Sequence, residues 1–209
     1  MKDNLSYLFS LLQFIGKNPG VKDLTPQMEH EILKNQPKWQ LYLKEQGETL
    51  KRAIIVFKNY DKTGELNKFF ENFETIKSNF SDKIFLNLME CAKEAYDQGV
   101  LQDAFLMFSF ITTYYPLQYR VYIYLGKIVQ DLYGSAEAST FYKTTTQLFP
   151  EAELLFIAAE CEMQQDNTTE AKNYLEKAQK TLTQKGDLTE FDTELKTRVD
   201  ELLKLIQQL

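Results

Sequence analysis

From residue 81 onward, apolar side chains return every three or four positions, the period of helices buried along one face. The spacing predicts helices over 85–98 and 101–114, over 119–132 and 135–148, and over 152–165 and 168–181. Asn167, with Glu170 three residues on, reads as a capping-box start to the last of these. After the break at Lys185-Gly186-Asp187, an amphipathic helix is predicted over roughly 188–207. Its apolar stripe is Leu188, Phe191, Leu195, Val199, Leu202 and Ile206, with charges opposite.

The first 80 residues follow a less regular pattern. Leu5, Leu8, Leu12 and Ile15 make a short amphipathic stretch ended by Gly16 and Asn18-Pro19-Gly20. Thr25-Pro26 with Glu29 marks a capped helix start running toward Asn35, and Pro37 interrupts it before Trp39, Leu41 and Leu43. Further helices are predicted from Glu48 to Tyr60 and from Glu65 to Lys77.

Sliding the chain against itself uncovers a repeat. At an offset of 34 residues, Gly99, Ala104, Phe108 and Pro116 fall on Tyr133, Ala138, Tyr142 and Pro150, while Leu88 and Ala92 fall on Tyr122 and Gly126. A third copy follows at an offset of 33, with Leu155, Ala159, Ala171, Leu175 and Ala178. Small residues are needed where two paired helices cross most closely: Ala92, Gly126 and Ala159 on the first helix, Ala104, Ala138 and Ala171 on the second. Phe108, Tyr142 and Leu175 fill the gaps beside them, and Pro116 and Pro150 end the second helix. Period and residue types are those of the tetratricopeptide repeat. The expectation is an all-α chain with three tetratricopeptide helix pairs in a right-handed solenoid, because one pair cannot bury its apolar face alone. Residues 1–80 are a helical extension and 81–209 the tetratricopeptide domain. Its repeats lie at about 85–118, 119–151 and 152–184, with a capping helix at about 188–207.

Charge narrows the partners. The net charge is +2 over residues 1–80, −2 over 81–150 and −6 over 151–209, so the C-terminal third repels phosphate backbones and nucleic acid is a poor partner. Leu5 to Ile15 is short and lacks a small-x-small cleavage site, and no stretch approaches a membrane span of about 20 apolar residues. A soluble cytoplasmic protein without stable membrane insertion is expected. Cys91 and Cys161 lie in apolar helical patterns without CxxC spacing and read as buried, reduced thiols.

Chemistry is absent where an enzyme would show it. The one histidine, His30, sits between Glu29 and Glu31 with no second His at ligand spacing, so no metal is expected. The chain has no Gly-rich phosphate loop and no G-x-S-x-G elbow. No catalytic residue and no cofactor is predicted; the function is binding.

In tetratricopeptide geometry, positions two, five, nine and twelve of each repeat line the concave groove. With repeats beginning at Phe85, Tyr119 and Ala152, the first offers Leu86, Met89, Lys93 and Tyr96. The second offers Arg120, Ile123, Lys127 and Gln130, and the third Glu153, Phe156, Glu160 and Met163. The apolar members suit pockets for side chains of an extended peptide, and Lys93, Arg120 and Lys127 suit its carbonyls or acidic groups. Such grooves also clamp the C-terminal carboxylates of heat-shock proteins, but that needs a basic, Asn-rich set, which Met89, Lys93, Ile123, Glu153 and Phe156 do not supply.

The segment Phe156-Ile157-Ala158-Ala159-Glu160-Cys161 is similar to an Ala-Ala-Glu-Cys at the third repeat of one family. So are Glu170-Ala171, Ala178-Gln179, Glu194-Leu195, Thr197-Arg198-Val199, and Ala95-Tyr96-Asp97-Gln98-Gly99 with Asp103-Ala104. From Ser81 to Gln208 the chain resembles the class II chaperones of bacterial type III secretion, the group that includes SycD and LcrH. The resemblance implies a cytoplasmic, non-enzymatic chaperone that keeps a hydrophobic, pore-forming translocator soluble before secretion. It holds an extended N-terminal segment of that partner in the concave groove. It places ligand contacts at Met89, Lys93 and Tyr96, and at Leu101 on the next helix. Members often carry aromatic residues where Met89 and Lys93 stand here, and their shorter N-terminal segment serves homodimer contact. The longer extension here has three candidate roles: holding a homodimer, covering the groove, or binding a second partner. The alternative function is a scaffold or regulatory component of the secretion apparatus that binds a folded protein.

Overall fold

A computed structural model of the chain describes residues 47–71 and 81–208. The stretches Leu5–Ile15 and Thr25–Asn35, His30, Trp39 and the last turns expected of the helix to Lys77 lie outside the described residues. The described residues are helical with no strand: α1 Gly47–Tyr60, α2 Glu65–Glu71, α3 Asp82–Asp97, α4 Leu101–Tyr114, α5 Tyr119–Tyr133, α6 Ser135–Leu148, α7 Ala152–Met163, α8 Thr168–Gln184 and α9 Glu190–Ile206. The chain forms two compact units, Met1–Ile128 and Val129–Leu209, whose boundary falls inside α5.

In the first unit, α3 and α4 form the first helix pair. Ser81 caps α3 by accepting a hydrogen bond from the Ile84 N–H, and Leu88, Cys91, Ala92 and Ala95 make its buried stripe. At its end Gly99 adopts a left-handed conformation (φ 74°), with Val100 N–H bonded to Ala95 O and Gly99 N–H to Tyr96 O. That turn reverses the chain into α4, whose Ala104 lies fully buried, as does Ala92.

Helix α4 is buried at every residue from Ala104 to Tyr114, and one partner helix cannot cover all sides of a cylinder. Helix α1 supplies the second partner, packing on α4 as well as on α3. Ala53 and Phe57 of α1 are fully buried. The rings of Phe57, Phe70 and Phe110 form a triangle with centroids 5.4–5.7 Å apart, two of its three contacts edge-on. The Asp61 carboxylate fixes the turn between α1 and α2 by accepting from Gly64 N–H (3.0 Å) and Asn67 N–H (2.8 Å). Glu65 ties α2 to α3 through Lys83 (2.6 Å) and Asn87 (2.7 Å). Helices α1 and α2 of the extension thus pack on the first helix pair.

In the second unit, α6 packs on α7, α7 on α8, and α8 on α9. Ala138, Ala159, Ala171 and Ala178 are fully buried, and Tyr142 and Leu175 fill the space beside them. The turn after α7 departs from expectation. Asn167 makes no side-chain cap to α8; its amide donates instead to Glu162 Oε2 at 2.7 Å. Glu162 is a buried carboxylate, also bonded by the Ser139 hydroxyl, and a buried charge without donors is far costlier than an unmade cap. Asp166 holds the left-handed position there (φ 58°), where the first repeat uses glycine.

The capping box lies one helix later. Thr189 Oγ1 accepts from Asp192 N–H (3.1 Å), Asp192 Oδ2 accepts from Thr189 N–H (3.0 Å), and Lys185 reaches the other carboxylate oxygen at 2.7 Å. This arrangement draws Asp192 into the interface and turns α9 from its predicted orientation. Its buried face is Asp192, Leu195, Val199 and Leu203, whereas Phe191 is 48% exposed and Leu188 37%. Leu202 and Ile206 are half-buried.

Two outcomes follow from this packing. Phe110→Ala opens a cavity under α1 and is expected to cost about 3–5 kcal/mol in urea unfolding; Phe57→Ala at the same contact should cost less than additively when combined with it. Hydrogen bonds from Lys185 and Thr189 hold the Asp192 carboxyl at about 2, below the ~3.9 of an unfolded chain. A depressed folded value gives stability that is complete above about pH 4 and lost as pH falls through about 2. The melting-temperature gap between wild type and Asp192→Asn, followed by circular dichroism, should therefore be widest above pH 5 and narrow toward pH 2.

Candidate functional site

The groove positions read from the sequence divide between the two units. In the first, the side of α3 next to its buried stripe carries Leu86, Met89, Lys93 and Tyr96 at helical spacing. Leu86 is 63% exposed, Met89 and Tyr96 are half-buried, and Lys93 is exposed. Half-buried apolar groups beside an exposed one make a surface that can take apolar side chains without first unpacking the core. The Lys93 ammonium bonds to the Asp97 carboxylate one turn on, which raises it above the ordinary lysine value. Leu101, half-buried, opens α4.

On α5, Arg120 is exposed and leans over the ring of its neighbour Tyr119 (5.9 Å), Lys127 is half-buried, and Ile123 is buried. The residue next to Ile123 was missed by the sequence reading. The Tyr124 ring meets Tyr96 edge-on at 5.8 Å and stacks on Phe108 at 4.8 Å, linking the α3 surface to the core. A fixed list of four positions per repeat steps over it. An aromatic one residue past a groove position was the available signal.

In the second unit, Gln130 donates to the Gln164 side chain, and Glu153 and Met163 are half-buried. Phe156 is only 2% exposed. The Arg198 guanidinium of α9 lies 4.4 Å from the centre of the Phe156 ring and bonds Glu160 Oε1 at 3.0 Å. Phe156 and Glu160 thus come together under a side chain of α9, and Phe156 is core rather than open surface. Arg198 had been noted only as part of the C-terminal pattern, because its target is on another helix.

Other chemistry is sparse among the described residues. Burial pushes both free thiols, Cys91 and Cys161, up to about 11, which keeps them in the unreactive protonated form. No group of three or more His, Cys, Asp or Glu there could hold a metal ion, and no helix there is long and apolar enough to cross a membrane. An open cleft of about 320 Å³ lies where the Tyr60–Thr63 turn faces Asn87 and Cys91, and Lys62 bridges it to Glu94.

No protein-family profile matches the chain, and no curated protein is similar to it. Solved structures are. SycD, a type III secretion translocator chaperone of Yersinia enterocolitica, is 26% identical with a TM-score of 0.53, over 60% of this chain and 91% of SycD. SycD in complex with a peptide of the translocator YopD is also 26% identical, with a TM-score of 0.52 over 63% of this chain and 98% of that one. PcrH from Pseudomonas aeruginosa, at 20% identity and a TM-score of 0.53, shares the fold over 62% of this chain and 96% of its own. Those chains are spanned almost whole, and the rest of this chain has no counterpart in them. By fold, this chain is similar to the type III secretion translocator chaperone SycD.

Proposed function

We infer that this chain is a cytoplasmic type III secretion chaperone. It holds an extended, partly hydrophobic segment of a secreted translocator against the groove-facing sides of its repeat helices and keeps that partner soluble before export. It works by binding rather than catalysis. Residues 81–209 carry the binding repeats, and residues 1–80 are an extension whose α1 and α2 complete the core of the first repeat.

The observation that carries this reading is the α3 surface, seen beside the likeness to SycD in its complex with a translocator peptide. Leu86, Met89 and Tyr96 offer apolar contact at the turn spacing of one helix face, and Tyr124 backs that face with a ring fixed on both sides. An extended peptide presents alternate side chains to such a surface, and an aggregation-prone segment gains most from having them covered. Exposed Lys93 and Arg120 on the same unit suit its backbone carbonyls or acidic groups.

Co-expression with candidate translocators, followed by co-purification, tests the reading. The Met89→Glu, Tyr96→Glu double variant places two carboxylates where apolar side chains would bind. It should weaken the complex at least tenfold (about 1.4 kcal/mol) while helicity stays as in wild type and melting falls only modestly, through the lost Tyr96–Tyr124 contact. A complex indifferent to the double variant would move the binding surface elsewhere on the chain. Failure to bind any translocator would favour a scaffold that holds a folded component of the secretion apparatus.

A further inference from the structure

Among the described residues six large apolar side chains stand exposed: Ile55, Leu86, Val100, Leu188, Phe191 and Leu205. Three of these, Leu188, Phe191 and Leu205, belong to α9 or its approach. Helical spacing puts Phe191, Arg198, Leu202 and Leu205 on a single strip beside the buried face of Leu195, Val199 and Leu203. Phe191 and Leu205 are 48% and 49% exposed, and Leu202 is half-buried. Helix α9 therefore has two apolar faces, one closed by α8 and the other open.

The middle of the open strip is a cation, yet that cation is already engaged. Arg198 sits over the Phe156 ring and is paired with Glu160, so its stem continues the strip while its charge is already engaged. What borders the strip on its solvent side is acidic. Glu190, Glu194 and Glu201 lie in one row along α9, all exposed, within a C-terminal third whose net charge is −6. The fourteen steps from Phe191 to Leu205 span about 21 Å at the helical rise, the length of some four turns of a partner helix.

We propose that the open face of α9 is a second docking surface that receives a basic amphipathic helix of a protein partner. The helix's apolar stripe lies on Phe191, Leu202 and Leu205, and its flanking lysines or arginines lie along Glu190, Glu194 and Glu201. An apolar stripe alone would be indifferent to the partner's charge; the carboxylate row selects cations and repels anionic lipid. This surface is distinct from the α3 surface, and it stands whether or not a translocator segment binds there.

The test uses the full chain and a fluorescent synthetic helix of roughly 18 residues, with a leucine stripe flanked by lysines, against a twin flanked by glutamates. Fluorescence anisotropy should show the lysine helix binding at least tenfold more tightly than its twin, with an affinity that falls as salt rises. Phe191→Ser with Leu205→Ser changes only exposed side chains and should weaken that binding at least tenfold. Glu190→Gln, Glu194→Gln and Glu201→Gln together should weaken it several-fold and flatten the salt dependence. Equal binding of the two helices, or no loss in the Phe191/Leu205 variant, overturns the proposal. So does a wild-type homodimer that the Phe191/Leu205 variant splits, since the face would then belong to a second copy. Capture of anionic vesicles through Phe191 would overturn it too, in favour of a membrane.

Discussion

Close approach of paired helices is the constraint on which the rest of this molecule depends. Two helices whose crossing point carries a methyl group or a hydrogen can come nearer than two whose crossing carries leucine. Ala92 and Ala104 lie fully buried in the first unit, and Ala138, Ala159, Ala171 and Ala178 in the second. Once the backbones are this near, the large side chains beside the crossing have only one place to go. Phe108, Tyr142 and Leu175 occupy it and are buried in turn. The pairing also fixes which side of each helix is left over. Leu86, Met89, Lys93 and Tyr96 form a surface because Leu88, Cys91, Ala92 and Ala95 are committed to the pair.

A helix pair leaves an apolar side that a further element must cover. The two units do so with different chemistry. Helix α4 is buried on all sides, so α1 and α2 bring a cluster of phenylalanines to the side its pair leaves uncovered. Burying rings such as Phe57 and Phe70 contributes on the order of 1.5–3 kcal/mol each, which makes these helices part of the core rather than an appendage. The chains of SycD and PcrH are spanned almost whole by about three fifths of this one, so the extra length here lies outside what they share. In the second unit α9 closes with aliphatic residues and a charged capping box, using Lys185, Thr189 and Asp192 to set its angle on α8.

The helices and their pairing were legible in the sequence because they rest on local rules: a 3.6-residue period, small residues at crossings, proline and glycine at ends. Predicted and observed spans agree to a few residues, and the six alanines singled out are buried. What escaped the sequence reading depends on a third element. Asn167 has the right type and spacing for a cap, but the buried carboxylate of Glu162 takes its amide. The stripe of α9 was drawn from hydrophobicity alone, and a half-buried ion pair with Lys185 turned the helix so that Asp192 went in and Phe191 came out. Tyr124 and Arg198 gain their roles from Tyr96, Phe108, Phe156 and Glu160, partners 16 to 42 residues away that no local pattern connects.

That last group explains why a capping helix can also be a surface. A helix that only closed a core would carry one apolar face and three polar ones, as periodicity led us to expect of α9. Here the burial of Asp192 costs one apolar position on the closed face, and Phe191 is displaced to the next face round. An exposed phenylalanine is tolerable when isolated, but Leu202 and Leu205 continue the same line toward the C-terminal end. Arg198 joins them by covering Phe156, and its pairing with Glu160 removes the positive charge that would otherwise oppose a cationic partner. The capping box, the rotated stripe and the arginine over the ring are therefore one arrangement. The contacts that orient α9 on α8 and α7 also decide which of its side chains face the solvent.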